Sequence, residues 1–258
     1  NDSNEKIILT YRNNKLNNFN NIFIWKKINL NSNHSKVYDY LLKPDTLIHL
    51  AWDGLSLRDY NSKIHIEQVD NHLNFIESLI KNGLKNIIVT GTCMEYGDYE
   101  GELEENMIAN PETKYGQAKN ILKEKIFLLK KKYKFNLTWL RLFYFYGGEK
   151  NTKDLWGNIN LAIQNKDISF QMSKGTQLRD YLNIKDVAKY IYKISSLKKD
   201  LGIINICSNI PISIKDLVKK WINENNWKIK VEINAVPISD HEKKNFWGSN
   251  KKLKFYTK

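Results

Sequence analysis

The segment from Ile87 to Lys119 constrains the fold of this chain more than any other. It opens on an apolar run, Ile87-Ile88-Val89, that reads as a buried strand. The run passes into Thr90-Gly91-Thr92-Cys93-Met94-Glu95-Tyr96-Gly97, and after a polar loop the chain reaches Tyr115-Gly116-Gln117-Ala118-Lys119. One short segment thus supplies a hydroxyl, a phenol and an amine. Residues four apart share a helix face, so the Lys119 ammonium is expected beside the Tyr115 ring. A cation there favours phenolate, which would pull Tyr115 down from its ordinary value of about 10 toward neutrality. A tyrosine so tuned can exchange a proton with a sugar or alcohol oxygen. Thr92, at the carboxyl end of the strand where open α/β sheets bind their ligands, is placed to hold that same oxygen.

Around this segment strands and helices alternate. Ile22-Phe23-Ile24-Trp25 is strand-like, Ser35 to Leu42 reads as a short amphipathic helix, and Thr46 to Ala51 reads as a buried strand after Pro44-Asp45. From Ser62 to Asn82 apolar residues recur at a helical period, with Gly83 as a natural C-cap, and a second long helix is expected from Tyr115 to Lys132. Such alternation implies parallel pairing through right-handed crossovers, an α/β chain with a doubly wound sheet. Beyond Gly147 the rhythm loosens. A helix over Leu155 to Gln164, a strand near Ile168 to Gln171, a strand-helix unit from Arg179 to Ser196, a helix near Ile214 to Asn223 and a strand around Ile229 to Ile233 suggest a smaller α+β lobe. The expected division is 1–147 for a cofactor-binding lobe and 148–258 for a substrate-binding lobe, with 203–207 returning to the main sheet. Asn1 to Asn20 is polar and asparagine-rich and reads as a loop with a short helix at most.

Composition excludes several alternatives. No window approaches the roughly 20 apolar residues of a membrane span, so a soluble chain is the default. Cys93 and Cys207 are isolated and without metal-ligand spacing, which suits a reducing cytoplasm and calls for no metal. The net charge of +13 would raise nucleic-acid binding. The lysines are scattered among many asparagines and isoleucines, however, and read as compositional bias, so no nucleic-acid partner is expected. His49, within a strand, reads as a satisfied core histidine.

Three further stretches carry a resemblance. Pro44-Asp45-Thr46-Leu47-Ile48-His49-Leu50-Ala51, Leu140-Arg141-Leu142-Phe143-Tyr144-Phe145-Tyr146-Gly147 and Arg179-Asp180-Tyr181-Leu182-Asn183-Ile184-Lys185-Asp186-Val187-Ala188 flank the central segment. In that order they resemble the extended short-chain dehydrogenase/reductase family, in its branch of NAD-dependent nucleotide-sugar epimerases, dehydratases and reductases. The resemblance implies a Rossmann-like fold, NAD(P)(H) as cofactor and a nucleotide-sugar as substrate. It makes Thr92, Tyr115 and Lys119 the catalytic residues, with Lys119 also binding the nicotinamide ribose. Asn29, Leu30, Leu50, Ala51, Thr90 and Phe143 would line the cofactor site, the Asn29-Leu30 pair receiving adenine although relatives have an acid there. Trp52, Asp53, Tyr144, Leu155, Trp156 and Arg179 would face the substrate, Arg179 through the pyrophosphate, for which its planar fork is suited. Trp52 and Asp53 read equally well as packing and as a turn cap, and Arg179 could instead pair with Asp180. Tyr144 replaces a usual asparagine. The helices 62–82 and 115–132 are those by which relatives form homodimers.

The same resemblance narrows the reaction. Dehydratases of this family carry Asp-Glu directly after the catalytic Thr, whereas Cys93-Met94 stand here. The expected activity is therefore reduction of the 4-keto group of a nucleotide-linked 6-deoxyhexose in surface polysaccharide biosynthesis. A C4 epimerase is the alternative, and a catalytically silent binding subunit a third reading. That third reading rests on the N-terminus. The family's glycine-rich turn approaches the cofactor pyrophosphate, yet no glycine precedes Gly54, so roughly 30 residues of a βαβ unit are expected to lie outside this chain. Residues 22–28 would then detach from the sheet or close up beside Thr46 to Ala51.

Overall fold

The computed structural model describes residues 6–13, 23–55, 60–148, 154–237 and 244–258. The first half of the chain runs β1 (Ile8–Tyr11), β2 (Ile24–Lys27), α1 (Val37–Tyr40), β3 (Thr46–His49), α2 (Ile64–Glu67), α3 (Val69–Lys81), β4 (Asn86–Thr92), β5 (Gly101–Leu103), α4 (Lys114–Leu129) and β6 (Asn136–Leu142). The second half runs β7 (Tyr144–Tyr146), α5 (Leu155–Gln164), β8 (Ser169–Met172), β9 (Leu178–Asn183), α6 (Ile184–Leu197), β10 (Gly202–Ile206), β11 (Pro211–Ser213), α7 (Ile214–Glu224), β12 (Lys230–Ile233), β13 (Phe246–Gly248) and α8 (Lys251–Thr257).

The central sheet is parallel and four-stranded, in the order β10-β6-β4-β3. Alternation along its strands covers both faces. Ile87, Val89, Leu137 and Trp139 point into a core shared with α3 and α4, through Phe75, Ile76, Leu79, Ala118, Leu122 and Ile126. Ile88 and Leu140 point the other way, into a core with α6 and α8 through Val187, Ile194 and Leu253. A strand buried on both sides reads as a continuous apolar run, which is why Ile87-Ile88-Val89 lacks a polar partner position. Helices on both faces of a parallel sheet are the doubly wound arrangement the alternation implied. The strand at 202–206 pairs with β6 in this sheet, although it follows most of the smaller lobe in sequence.

The smaller lobe is built from short sheets: β11-β9-β7, with β9 antiparallel to β11 and parallel to β7, and the parallel pair β12-β8, while β13 reaches back to pair in parallel with β5. Its core gathers Ile159, Met172, Leu217, Val218 and Trp221, with Trp156, Trp227 and Tyr146 packed around them.

The expectations are corrected at several elements. Ile8–Tyr11 is a strand, where a loop was read, and it pairs in parallel with β2 as a separate two-stranded sheet. Its apolar run is short and lies among asparagines, so polarity averaged over the segment hides it; the remainder of 1–20, and Ile22, lie outside the described residues. Residues 24–27 are detached from the central sheet, the first of the two outcomes expected for 22–28, and take β1 as their hydrogen-bonded partner instead of closing up against β3. The strand after Pro44 ends at His49 and is half-buried rather than buried, because β3 is the edge of the central sheet. The helical stretch 62–82 is two helices, α2 and α3, meeting at Gln68. No helix among the described residues is long and apolar enough to cross a membrane.

Candidate active site

The site forms past the carboxyl ends of β3 and β4. The strand β4 ends at Thr92, which caps a single 3-10 turn over Cys93–Glu95: its Oγ1 accepts from the Met94 amide at 3.3 Å, and Glu95 reaches back to accept from the Thr92 amide at 2.9 Å. This reciprocal cap fixes the Thr92 backbone as the chain leaves the sheet. Glu95 is held from beneath by Trp139 Nε1 at 2.9 Å and Arg141 Nε at 3.0 Å, with Lys123 Nζ at 3.8 Å. Gly91 permits that approach, since a Cβ there would stand 2.1 Å from Trp139 Nε1 and 2.3 Å from Glu95 Oε1. Gly116 lets the start of α4 come down onto the same turn, where a Cβ would meet the Met94 carbonyl at 2.6 Å.

Thr113 caps α4 through the Gly116 amide and so sets Tyr115 and Lys119 on its first turns. The Lys119 side chain is 2% exposed; its ammonium donates to the Thr90 carbonyl at 2.8 Å and lies 4.0 Å from the centre of the Trp52 ring. The Tyr115 ring is farther, at 6.0 Å. Burial pushes Lys119 down to about 7, opposed by the negative charge of Glu95. Burial likewise pushes the Tyr115 hydroxyl up, helped by Tyr60 and Cys93 and countered by a hydrogen bond with the Thr92 side chain. The expectation that Lys119 draws Tyr115 toward phenolate is thereby corrected: desolvation outweighs the cation, and Tyr115 stays a protonated acid at neutral pH.

Around this pair stand aromatic residues that the sequence reading passed over. Tyr60 stacks on Tyr115 at 5.7 Å and accepts its amide hydrogen at the backbone carbonyl. His65 lies 5.2 Å from the Tyr115 ring, and Trp52 Nε1 donates to its Nδ1 at 3.1 Å. His72 stacks under Trp52 at 4.6 Å and joins His49 Nε2 at 2.7 Å. The spacing of His65, Gln68 and His72, at i, i+3 and i+7 on an otherwise apolar face, was the available signal. His49 is a satisfied buried histidine, as read; burial first, then the charges of His72 and Lys119, keep it neutral.

The remaining candidates divide. Leu50 is 58% exposed and Ala51 exposed too, offering an apolar rim past the end of β3. Asn29 and Leu30 follow β2 beside a cavity of about 400 Å³ lined by Asn29, Ser32, His34, Lys36 and Tyr40 among others. Thr90 is buried, its hydroxyl donating to the His49 carbonyl at 3.3 Å. Phe143 is buried between Tyr96 and Phe246, as enclosed as Thr90 and Lys119. Trp52 is clamped rather than free, so packing is the reading the geometry carries for it, whereas the Asp53 carboxylate forms a half-exposed ion pair with Arg12. Leu155 and Trp156 are partly buried and pack against the smaller lobe's core, Trp156 meeting Trp221 edge-on at 4.9 Å. Tyr144 stacks on Tyr181 at 5.3 Å and joins Phe246. Arg179 crosses Phe246 at 4.4 Å, and its Nη1 donates to the carbonyls of Leu178 and Lys244. The alternative of an Arg179 to Asp180 pair fails, because the Asp180 carboxylate is turned to the amides of Ser208, Asn209 and Gly248.

A protonated phenol, a buried amine of lowered basicity and a strand-end hydroxyl can together deliver a proton to an oxygen and stabilise the charge that develops there. The residues fit a dinucleotide: the rim at Leu50 and Ala51, the cavity beside Asn29 and the Lys119 cation lie along the carboxyl ends of parallel strands.

Comparison with known proteins agrees. A dTDP-6-deoxy-L-talose 4-dehydrogenase (NAD(+)) of Aggregatibacter actinomycetemcomitans is 33% identical over 216 residues, covering 83% of this chain and 78% of the relative. Among solved structures, a UDP-N-acetylglucosamine 4-epimerase from Methanobrevibacter ruminantium superposes with a TM-score of 0.85 at 18% identity, covering 98% of this chain and 84% of the other. A UDP-glucuronic acid 4-epimerase from Bacillus cereus, in complex with NAD, superposes at 0.72 with 20% identity, covering 91% of this chain and 74% of the other. At those identities the two structures speak for the fold alone. The model of the NAD dependent epimerase/dehydratase family matches residues 1–207, and the chain belongs to that family.

Proposed function

We propose that this protein is an NAD-dependent reductase acting on the 4-keto group of a nucleotide-linked 6-deoxyhexose. The observation that carries the reading is the placement of Thr92, Tyr115 and Lys119 around one point at the end of β4, with Tyr115 kept protonated. Further support comes from the 33% identical relative, named as a 4-dehydrogenase of dTDP-6-deoxy-L-talose. NAD, when bound, supplies or takes up the hydride. Leu50, Ala51, Thr90 and Lys119 would hold its nicotinamide end, and Asn29 and Leu30 its adenine end. Tyr115 donates its proton to the oxygen on C4 as that oxygen becomes an alkoxide, and Thr92 holds the same oxygen in line. Lys119 places positive charge nearby and favours the phenolate that remains. Arg179 binds the pyrophosphate.

Dehydration is disfavoured because it needs a further acid and base. Glu95, the carboxylate next in sequence, is fully engaged with Thr92, Trp139 and Arg141, and burial pushes the Cys93 thiol up to about 12. Supporting a cytoplasmic enzyme of surface polysaccharide synthesis are the two free, buried cysteines and the 6-deoxyhexose chemistry of the relative. A homodimer through 62–82 and 115–132 draws support from Ile66 and Leu128, exposed at 39% and 56% on α2 and α4. The test is to mix the protein with NADH and a panel of nucleotide 4-keto-sugars and follow the coenzyme's absorbance. Oxidation stoichiometric with sugar supports the reading; turnover of a non-keto sugar with no added coenzyme would replace it with C4 epimerisation.

A further inference from the structure

Lys119 is buried, yet among the described residues no carboxylate forms an ion pair with it. Glu95, the acid whose charge acts on it, is turned instead to Arg141 and Trp139. Two groups meet the ammonium directly: the Thr90 carbonyl at 2.8 Å and the face of Trp52 at 4.0 Å. An aromatic face is electron-rich, and it attracts a desolvated cation more strongly than a solvated one.

Trp52 is itself held from several sides. Its ring stacks on His72 at 4.6 Å and 19°, runs parallel to His65 within 13°, and meets Tyr115 edge-on at 6.1 Å. Its Nε1–H donates to His65 Nδ1, which leaves the His65 proton on Nε2. A chain of hydrogen bonds fixes His72 in turn. Gln68 Oε1 accepts from both His72 Nε2 and the Asp53 amide, so His72 Nδ1 accepts from His49 Nε2. Burial keeps both histidines neutral, and neither repels the lysine. The network ends on a ring that cannot turn away from Lys119.

We propose that Trp52 is a positioning residue of the active site, whose ring face holds the Lys119 ammonium at the Thr90 carbonyl beside Tyr115. The proposal rests on the functional reading above only for what Lys119 does once held. The groups that face Lys119 are Glu95 from the 3-10 turn, His49 and His72 from β3 and α3, Tyr115 one turn before it on α4, and Trp52. Of these, Trp52 offers the nearest electron-rich surface to the ammonium, at 4.0 Å against 6.0 Å for the Tyr115 ring. An enzyme that needs Lys119 charged near neutral pH would lose that charge more readily if the ring face were made electron-poor.

The test keeps the shape of the ring and changes only its electrons. Tryptophans carrying one to four ring fluorines are introduced at position 52 alone by nonsense suppression, and the Lys119 titration is followed by the ¹³C resonance of its ε-carbon, assigned by its loss in Lys119→Met. No coenzyme or substrate is present. The midpoint should start near 7 in the unmodified protein and fall with each fluorine, by about one pH unit across the series. A midpoint that stays fixed or rises would overturn the proposal. In the reductase assay, the alkaline limb of kcat/KM should move down in step; a limb that stays put while the midpoint falls would overturn the link to catalysis. Should no nucleotide-sugar turn over, the functional reading fails, while the titration still decides the role of Trp52.

Discussion

Arg179 and Lys119 show how burial decides what a charged side chain can do here. Arg179 is buried against Phe246, with Nη1 donating to two backbone carbonyls, so its guanidinium plane is fixed before any ligand arrives. A lysine has neither the fork nor the planarity to keep those bonds while binding a pyrophosphate. Arg179→Lys should weaken nucleotide-sugar binding roughly tenfold or more, the scale of one charge-assisted hydrogen bond, and leave NADH affinity unchanged. Titration calorimetry with each ligand reads this directly, and equal losses for both would contradict the assignment. Lys119 makes a prediction in pH. Below about 7 it is protonated in the folded and the unfolded chain alike, and its burial then costs most. Between about 7 and 10.5 only the unfolded chain holds the proton, so stability rises with pH across that window. Urea unfolding at pH 7 and pH 10 should find wild type gaining on Lys119→Met by on the order of 4 kcal/mol. Parallel behaviour of the two proteins would contradict the burial argument.

At the scale of elements, the turn that ends β4 depends on Glu95. Its carboxylate joins the Thr92 amide, Trp139, Arg141 and Lys123, and thereby ties β4, β6 and α4 together beneath the site. Glu95→Ala would leave Arg141 buried without a counter-ion, while Lys123 keeps Glu124 at 3.3 Å, a loss of about 3 to 5 kcal/mol. Denaturant unfolding measures it, and a loss under about 1 kcal/mol would mean the network is dispensable. The strands and long helices of the central sheet were legible in sequence because burial on one or both faces leaves a period behind. β1 was not, since Ile8 to Tyr11 is too short to show a period amid polar neighbours. Thr92, Tyr115 and Lys119 were legible because one strand and one helix carry them all. The ring cluster of Trp52, Tyr60, His65 and His72 was not, because it assembles from non-helical chain at Trp52 and Tyr60 and from α2 and α3, whose meeting only the fold determines. The sign of the Tyr115 shift escaped for a related reason: spacing reveals a neighbouring charge, but not how much water is excluded around it.

Across the whole molecule, residues distant in sequence are brought together beside the central sheet. β13 pairs with β5, and its Phe246 packs against Phe143, Tyr144 and Arg179, so a residue near the end of the chain joins a cluster begun at β7 and β9. Asp180 fastens that cluster by accepting from the amides of Ser208, Asn209 and Gly248. The Tyr115 hydroxyl is itself buried, and exclusion of bulk water from it is what proton delivery to a sugar oxygen calls for. The central claim is that this hydroxyl is the proton donor in 4-keto reduction. Single-turnover rates of NADH oxidation by wild type and Tyr115→Phe, on the nucleotide 4-keto-sugar that wild type turns over best, test it most directly. The variant should be slower by about 10² to 10⁴-fold, with its circular dichroism and melting temperature unchanged. A Tyr115→Phe rate within a fewfold of wild type would contradict the account.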